Sequence, residues 1–385
     1  MVYLDYSATS PLLSEAKMAM LNAMDLVGNA SALHTPGHQA MNIVEEAREE
    51  IAKLINADPS EILFTSGGTE SNNTVTNIFA GKNVAISAIE HPSLLESAKL
   101  RCKTTIIPVD KDGRIKTLED SCSNVSLVSI MLANNEIGTI NDIKKLAKQA
   151  HENGALFHTD ATQALGKVKI NVKDLDVDYM TISSHKIGGP IGIGALYIKK
   201  GAPFKPLIIG GHQEKGRRAG TYQTINIAGF GAAAKYANNH KTWEIYESKI
   251  RPLRNLLMNR ILEEIPYSSS NTPIDNSLPN ILNCSFEAAE GESIQLYLDA
   301  EGDIIVSTGS ACASGDGKPS HVIMATRNDA EIAHSSVRFS FGLDSTEQDV
   351  SHVMKYLPNI VKRLQGISTL KAGKIKKEDS YYGKH

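Results

Sequence analysis

Lys186 closes the run Thr181-Ile182-Ser183-Ser184-His185-Lys186 and is followed by Ile187-Gly188-Gly189-Pro190. Hydroxyls, an imidazole and turn-forming residues can strip water from such a lysine, and desolvation favours the neutral amine. A neutral lysine is a nucleophile that forms Schiff bases with carbonyl compounds. The alternative is a solvated lysine in a Gly/Pro turn, so the rest of the chain has to decide. Ser66-Gly67-Gly68-Thr69-Glu70-Ser71 lies between a short apolar run and a helical pattern. The unpaired amides and the dipole of a helix start suit a phosphate, and glycines let the backbone approach it. Asp160 ends another apolar run, Leu156 to Thr159, and His91 follows Ile89-Glu90. Phosphate cradle, strand-end aspartate and desolvated lysine are what a pyridoxal phosphate enzyme requires of its protein, the aspartate keeping the ring nitrogen protonated. An imidazole at His91 can stack on such a ring and move protons near neutral pH.

Two further residues carry a different chemistry. Cys312 sits in Ser307-Thr308-Gly309-Ser310-Ala311-Cys312-Ala313-Ser314-Gly315-Asp316-Gly317-Lys318-Pro319. Buried structural cysteines are surrounded by aliphatics, whereas a thiol in a Gly/Ser loop is exposed and available as a nucleophile; a chance cysteine in a loop is the alternative. Arg338 lies in the strand-like Ser336 to Ser340, where its planar fork suits a substrate carboxylate or a structural ion pair.

The elements that must position these groups follow from periodicity. Helices are expected over Ser14 to Met24 and Gln39 to Leu54, then a strand at Glu61 to Thr65 and a helix through Phe79. Strands and helices then alternate: Asn83 to Ala88, Ser93 to Lys99, Thr104 to Val109, Val125 to Leu132, Ile143 to Glu152, Leu156 to Thr159, Tyr179 to Ser183 and Gly194 to Ile198. Such alternation implies a mostly parallel sheet with helices on both faces, and such sheets bind ligands beyond the carboxyl ends of their strands. His91, Asn134-Asn135-Glu136, Asp160 and Lys186 all fall at those ends. Gly229-Phe230-Gly231-Ala232-Ala233-Ala234 imitates a dinucleotide fingerprint, but it reads as a closely packed small-residue helix. Helical patterns from Trp243 to Glu264 precede Ser268-Ser269-Ser270-Asn271-Thr272-Pro273, read as a polar break just inside a second domain. Strands at Asn280 to Phe286, Asp303 to Ser307 and Ser336 to Ser340, and a helix from near Thr346, follow. The chain beyond Ala372 is lysine-rich and aperiodic.

With 385 residues the chain exceeds one small core. A net charge of -3 gives no general footprint for nucleic acid or anionic membrane. The absence of a signal-like N-terminus and of a bilayer-length apolar run makes a cytoplasmic location the expectation. The four cysteines, Cys102, Cys122, Cys284 and Cys312, are scattered without zinc-ligand spacing, which suits free thiols and predicts no metal.

Leu4-Asp5-Tyr6-Ser7-Ala8-Thr9, Gly67-Gly68-Thr69-Glu70-Ser71, Glu90-His91, Asn134-Asn135-Glu136-Ile137-Gly138, Asp160-Ala161-Thr162-Gln163, Ser184-His185-Lys186, Arg218-Ala219-Gly220-Thr221, Gly309-Ser310-Ala311-Cys312 and Ala333-His334-Ser335-Ser336-Val337-Arg338 together resemble the cysteine desulfurases of the NifS/IscS type. The resemblance runs in order from residue 4 to about residue 340. It implies a fold-type I pyridoxal phosphate enzyme of the α/β class. A large domain over 14–250 would hold the cofactor on a mostly parallel seven-stranded sheet, and 1–13 with 251–385 would form a smaller α+β domain carrying the cysteine loop. By the same resemblance Lys186 would bind the cofactor covalently, Asp160 would pair with its ring nitrogen, Gln163 with its phenolic oxygen, and His91 would stack on it. Gly68, Thr69, Ser183 and His185 would hold the phosphate, and Thr221 would reach the phosphate of the partner subunit in a homodimer. Asn135 and Arg338 would take the substrate carboxylate. L-cysteine would become L-alanine while Cys312 takes the sulfur as a persulfide and passes it to an acceptor protein. The long form of the Cys312 loop favours an iron–sulfur scaffold as that acceptor. Ala30, where the family often has proline, and Tyr222, where an acidic residue is common, depart from the pattern away from this chemistry. Selenocysteine lyase or α,β-elimination is the alternative within the same enzyme class; a non-catalytic sulfur-assembly scaffold is the alternative outside it.

Overall fold

The computed structural model describes residues 1–118, 124–308, 318–370 and 372–373. Cys122 and Cys312 lie outside the described residues.

The central element is a seven-stranded sheet in the order Ile62–Thr65, Gly194–Ile198, Tyr179–Ser183, Leu156–Asp160, Leu127–Ser129, Asn83–Ser87, Lys103–Ile107. Only Gly194–Ile198 runs against its neighbours. The inner strands are buried along almost their whole length because both faces are covered, as a mostly parallel sheet requires. Several flanking helices start where the sequence supplies a cap. Asp142 accepts from Lys145 N at 3.2 Å to open Ile143–Glu152, and His34 Nδ1 accepts from Gly37 N at 3.2 Å to open Thr35–Ile55, with Pro36 in its first turn. The helix Thr224–Asn239 confirms the reading of its glycines as packing residues: a Cβ on Gly231 would stand 2.6 Å from Ala47 Cα. Its backbone therefore approaches the helix Thr35–Ile55 more closely than alanine would allow.

The register brings the functional strand ends together. Thr65 and Ser183 both lie opposite Gly194, so the Gly67-Gly68 turn stands beside the turn that carries Lys186. A Cβ on Gly194 would meet Gly67 Cα and Ile182 O at 2.8 Å, so this approach requires glycine. Asp160 pairs with Thr181 on the neighbouring strand.

A second core gathers around a three-stranded antiparallel sheet, Ser336–Ser340, Ile281–Phe286 and Ser268–Ser270. It is closed by the helices Arg251–Glu264, Gly291–Gly302 and Glu347–Ile367, whose apolar side chains share one buried cluster with Leu282, Phe286 and Phe339. The serine run expected to be a polar break is thus an edge strand. Its polar residues are satisfied across the pair: Asn271 Nδ2 donates to Asn283 Oδ1 and Ser285 Oγ, both at 2.8 Å. Composition suggested a loop, and tertiary partners made a strand. Val2–Tyr3 pairs in parallel with Ile304–Ile305, and Asp5 bridges to Ser340, which fastens the start of the chain to this second sheet. No helix among the described residues is long and apolar enough to cross a membrane.

Candidate active site

One cleft of about 370 Å³ opens at the carboxyl edge of the central sheet. Gly68, Thr69, His91, Asn135, Asp160, Gln163, Ser183, His185, Lys186 and Arg338 all line it. Thr221 is exposed and stands apart from this cleft. Ser307 and Thr308, which precede the segment containing Cys312, also border it.

Each wall is held by local structure. Gly67, at φ +148°, turns the chain from Ile62–Thr65 into the helix Gly68–Ile78. Glu70 closes that turn by accepting from Ser66 N at 2.8 Å, and Arg218 grips the same carboxylate through Nε at 2.9 Å and Nη2 at 3.1 Å. His91 caps the helix Pro92–Arg101, its Nδ1 accepting from Ser93 N at 3.1 Å. Lys186 lies in the short 3-10 turn Ser184–Ile187, ended by Gly188 at φ +80°. A Cβ on Gly188 would stand 2.6 Å from Leu13 Cγ, so the turn is clamped from the N-terminal segment. Lys186 Nζ donates to the backbone carbonyls of Ser7 and Ala8, the latter at 2.8 Å, which draws residues 7–8 over the cleft.

Sequence reasoning did not single out Asn72, Ser93 or Asp5. Asn72 Nδ2 donates to Asp160 Oδ2 and Ser93 Oγ, both at 2.9 Å, and Ser93 Oγ is 2.8 Å from His91 Nδ1. Asp160 and His91 are therefore connected by one hydrogen-bonded chain. Thr162 N completes the carboxylate's support at 2.9 Å. Asn72 stands one turn beyond Gly68, and helical spacing alone marks it as facing the same side. Asp5 lies in the Leu4-Asp5-Tyr6 motif. Its Oδ1 accepts from Arg338 Nη2 at 2.9 Å, while Arg338 Nη1 donates to Asn135 O at 2.9 Å.

Burial sets the charge states. His91 is pushed below its ordinary range by desolvation, opposed by Asp160 and reinforced by Lys186 and His321. His185 falls to about 4 for the same main reason, with Lys186 and Lys167 adding to it. Burial also takes His158, below Asp160 on the same strand, down to about 4 against the opposing pull of Asp160; its ring sits between Ser129 Oγ at 2.7 Å and Thr181 Oγ1 at 3.0 Å. The imidazoles of the site are therefore neutral at pH 7.

The residues present fit a phosphorylated pyridine aldehyde. Gln163 Oε1 and Thr162 Oγ1 are buried with no partner among the described residues, as polar atoms awaiting a ligand are. The Gly67-Gly68 turn and Thr69 form the floor at the start of an 11-residue helix, suited to a phosphate. Asp160 is 5% exposed and held by two donors, suited to a cationic ring nitrogen.

Fold and cleft define a fold-type I pyridoxal phosphate-dependent enzyme. The chain belongs to the aminotransferase class-V family, whose pattern matches residues 2–353. It is 43% identical to the cysteine desulfurase IscS of Dictyoglomus turgidum over 96% of this chain and 97% of that one. Among solved structures it is similar to a NifS-like protein from Rickettsia africae, with a TM-score of 0.87 at 33% identity over 94% of this chain and 99% of that one. It is similar also to SspA in complex with cysteine, with a TM-score of 0.77 at 31% identity over 89% and 99%.

Proposed function

We propose that this pyridoxal phosphate-dependent cysteine desulfurase works through the cleft at the carboxyl edge of its central sheet, with Lys186 and Cys312 as its two reacting side chains. The observation that supports this most is the convergence on that cleft of Lys186, Asp160, His91, Gln163 and Arg338, from separate parts of the chain. Lys186 would hold the cofactor covalently, and its Nζ, when free, would take a proton from the substrate α-carbon. Asp160, oriented by Asn72 and Thr162, pairs with the ring nitrogen, and Gln163 with the phenolic oxygen. Gly68, Thr69, Ser183 and His185 hold the phosphate, and His91 covers the ring. When bound, pyridoxal phosphate supplies an electron sink for the α-carbon of an amino acid. Arg338 and Asn135 bind the carboxylate of L-cysteine.

The Cys312 thiolate takes the substrate sulfur: an S–S bond forms, the C–S bond breaks, and L-cysteine plus the thiol yield L-alanine plus a persulfide. That sulfur then passes to an acceptor protein, for which an iron–sulfur scaffold is the reading the long cysteine loop favours. The working unit is a cytoplasmic homodimer in which Thr221 reaches the phosphate held by the partner.

The test is optical and chemical. The purified protein should show a roughly 390–430 nm absorbance band that Lys186→Ala abolishes. Cys312→Ala should keep the band but lose persulfide and sulfide formation from cysteine. Intact cysteine turnover in that variant would overturn the role of Cys312, and absence of the band from the unaltered protein would favour a non-catalytic scaffold.

A further inference from the structure

Behind Lys186, on the side away from the cleft, a second lysine is buried. Lys167 is 1% exposed and follows Gly166, whose φ of +71° lets the turn press against Ile187. Thr242 Oγ1 fastens that turn by donating to Gly166 O at 2.6 Å. Lys167 Nζ donates to Gln163 O at 3.1 Å and to Lys186 O at 3.4 Å. One ammonium thus ties the turn that carries Gln163 to the turn that carries Lys186. Ser10 Oγ donates to the same Lys186 carbonyl at 3.1 Å.

A buried lysine ordinarily meets a carboxylate, because an unpaired buried charge is costly. Lys167 takes part in none of the ion pairs among the described residues, and its two hydrogen-bond acceptors are neutral carbonyls. The titratable groups around it are Lys186 and His185 on the 3-10 turn, with Tyr6, Tyr236, Tyr246 and Asp344 on the wall of the small cavity of about 50 Å³ that it shares with Lys186. Two neighbouring amines oppose each other's protonation, a known way of making a lysine nucleophilic near neutral pH, and Lys186 is one of the groups that hold Lys167 down.

We propose that Lys167 is a positioning residue that keeps Lys186 in its neutral, reactive form by placing a second amine against the turn that carries it. The proposal rests on the assignment of Lys186 as the cofactor lysine. Burial, with Lys186 adding to it, lowers Lys167 itself to about 7.

The test is the pH titration of the cofactor absorbance band in the holoenzyme, comparing the unaltered protein with Lys167→Met and Lys167→Arg. Lys167→Met removes the charge at similar volume, and the midpoint should rise by about one unit or more. Lys167→Arg restores the charge and should return the midpoint to the unaltered value or below. Coincident midpoints in all three proteins, or equal shifts in both variants, would overturn the proposal and leave Lys167 a packing residue. Absence of the band in the unaltered protein would instead refute the assignment of Lys186. Should Lys167→Met fail to fold or load, carbon NMR of the unaltered protein with labelled lysines decides. A Cε signal that titrates near pH 7 is the expected result, and titration of every lysine near its ordinary value of about 10.4 overturns the proposal.

Discussion

Replacing Arg338 with methionine separates substrate recognition from scaffold support. The arginine side chain is 5% exposed in the strand Ser336–Ser340, where Asp5 and the carbonyl of Asn135 each take one Nη. Its Nε is buried with no partner among the described residues, so part of the fork remains for a carboxylate in the cleft. A hydrogen bond to a charged partner contributes about 1.5–3 kcal/mol. At about 1.4 kcal/mol per tenfold, its loss should weaken L-cysteine binding by roughly 10- to 150-fold. The assay is the concentration of amine that half-saturates the change in the cofactor absorbance band. With cysteine the half-saturating concentration should rise by that factor. With cysteamine, which has the amine and thiol but no carboxylate, it should stay the same. Arg338→Lys keeps the charge but loses the fork and should fall between. Asp5 and Asn135 both border the cleft, so water can solvate the groups that the methionine variant leaves behind. An equal loss for cysteine and cysteamine, or no change for either, would refute the assignment.

Other outcomes follow from buried charge. Arg48 and Glu214 form a two-point ion pair, Nη1 to Oε2 at 2.9 Å and Nη2 to Oε1 at 2.7 Å, with side chains 6% and 2% exposed. Glu214→Ala should therefore cost about 3 kcal/mol in denaturant unfolding, the low end for a broken buried pair, because Arg48 keeps Glu45 at 3.2 Å and the Ile62 carbonyl at 2.8 Å, while Arg48→Met with Glu214→Leu should cost less; a loss under about 1 kcal/mol for the single variant would contradict this. His158 and His185, both held to about 4, are neutral in the folded state while an unfolded histidine protonates below about 6.5. Their contribution to stability is complete above pH 6.5 and declines as pH falls towards 4, so the denaturation midpoint should drop across that window and His158→Gln should flatten the slope. An unchanged slope in the variant would show that carboxylates govern the acid limb.

Much of the candidate cleft was legible because its chemistry is local. Lys186 after an apolar run, Asp160 at a strand end and the glycine turn at 67–68 each announce themselves within a few residues, and alternating periodicity placed them at one edge of a mostly parallel sheet. The serine run at 268–270 was misread for the complementary reason. Serines have weak strand preference, and it is pairing with Cys284, Ser285 and Phe286, with Asn271 bonded across to Asn283 and Ser285, that makes a strand of them.

What tertiary structure alone decided is how distant residues meet. Asp5 and Arg338 are 333 positions apart and touch because Val2–Tyr3 pairs with Ile304–Ile305 and Asp5 bridges to Ser340 of the second sheet. Asn72 supports Asp160 from 88 positions away because strand register sets the helix Gly68–Ile78 over that strand end. Lys167 lies only 19 positions before Lys186, yet nothing around it in sequence marks it as buried or as reaching the carbonyl of that lysine. Residue type and period are properties of a short window and determined the chemistry available to this chain. Register and turn packing depend on the whole fold, and they determined which of those groups stand within reach of one another.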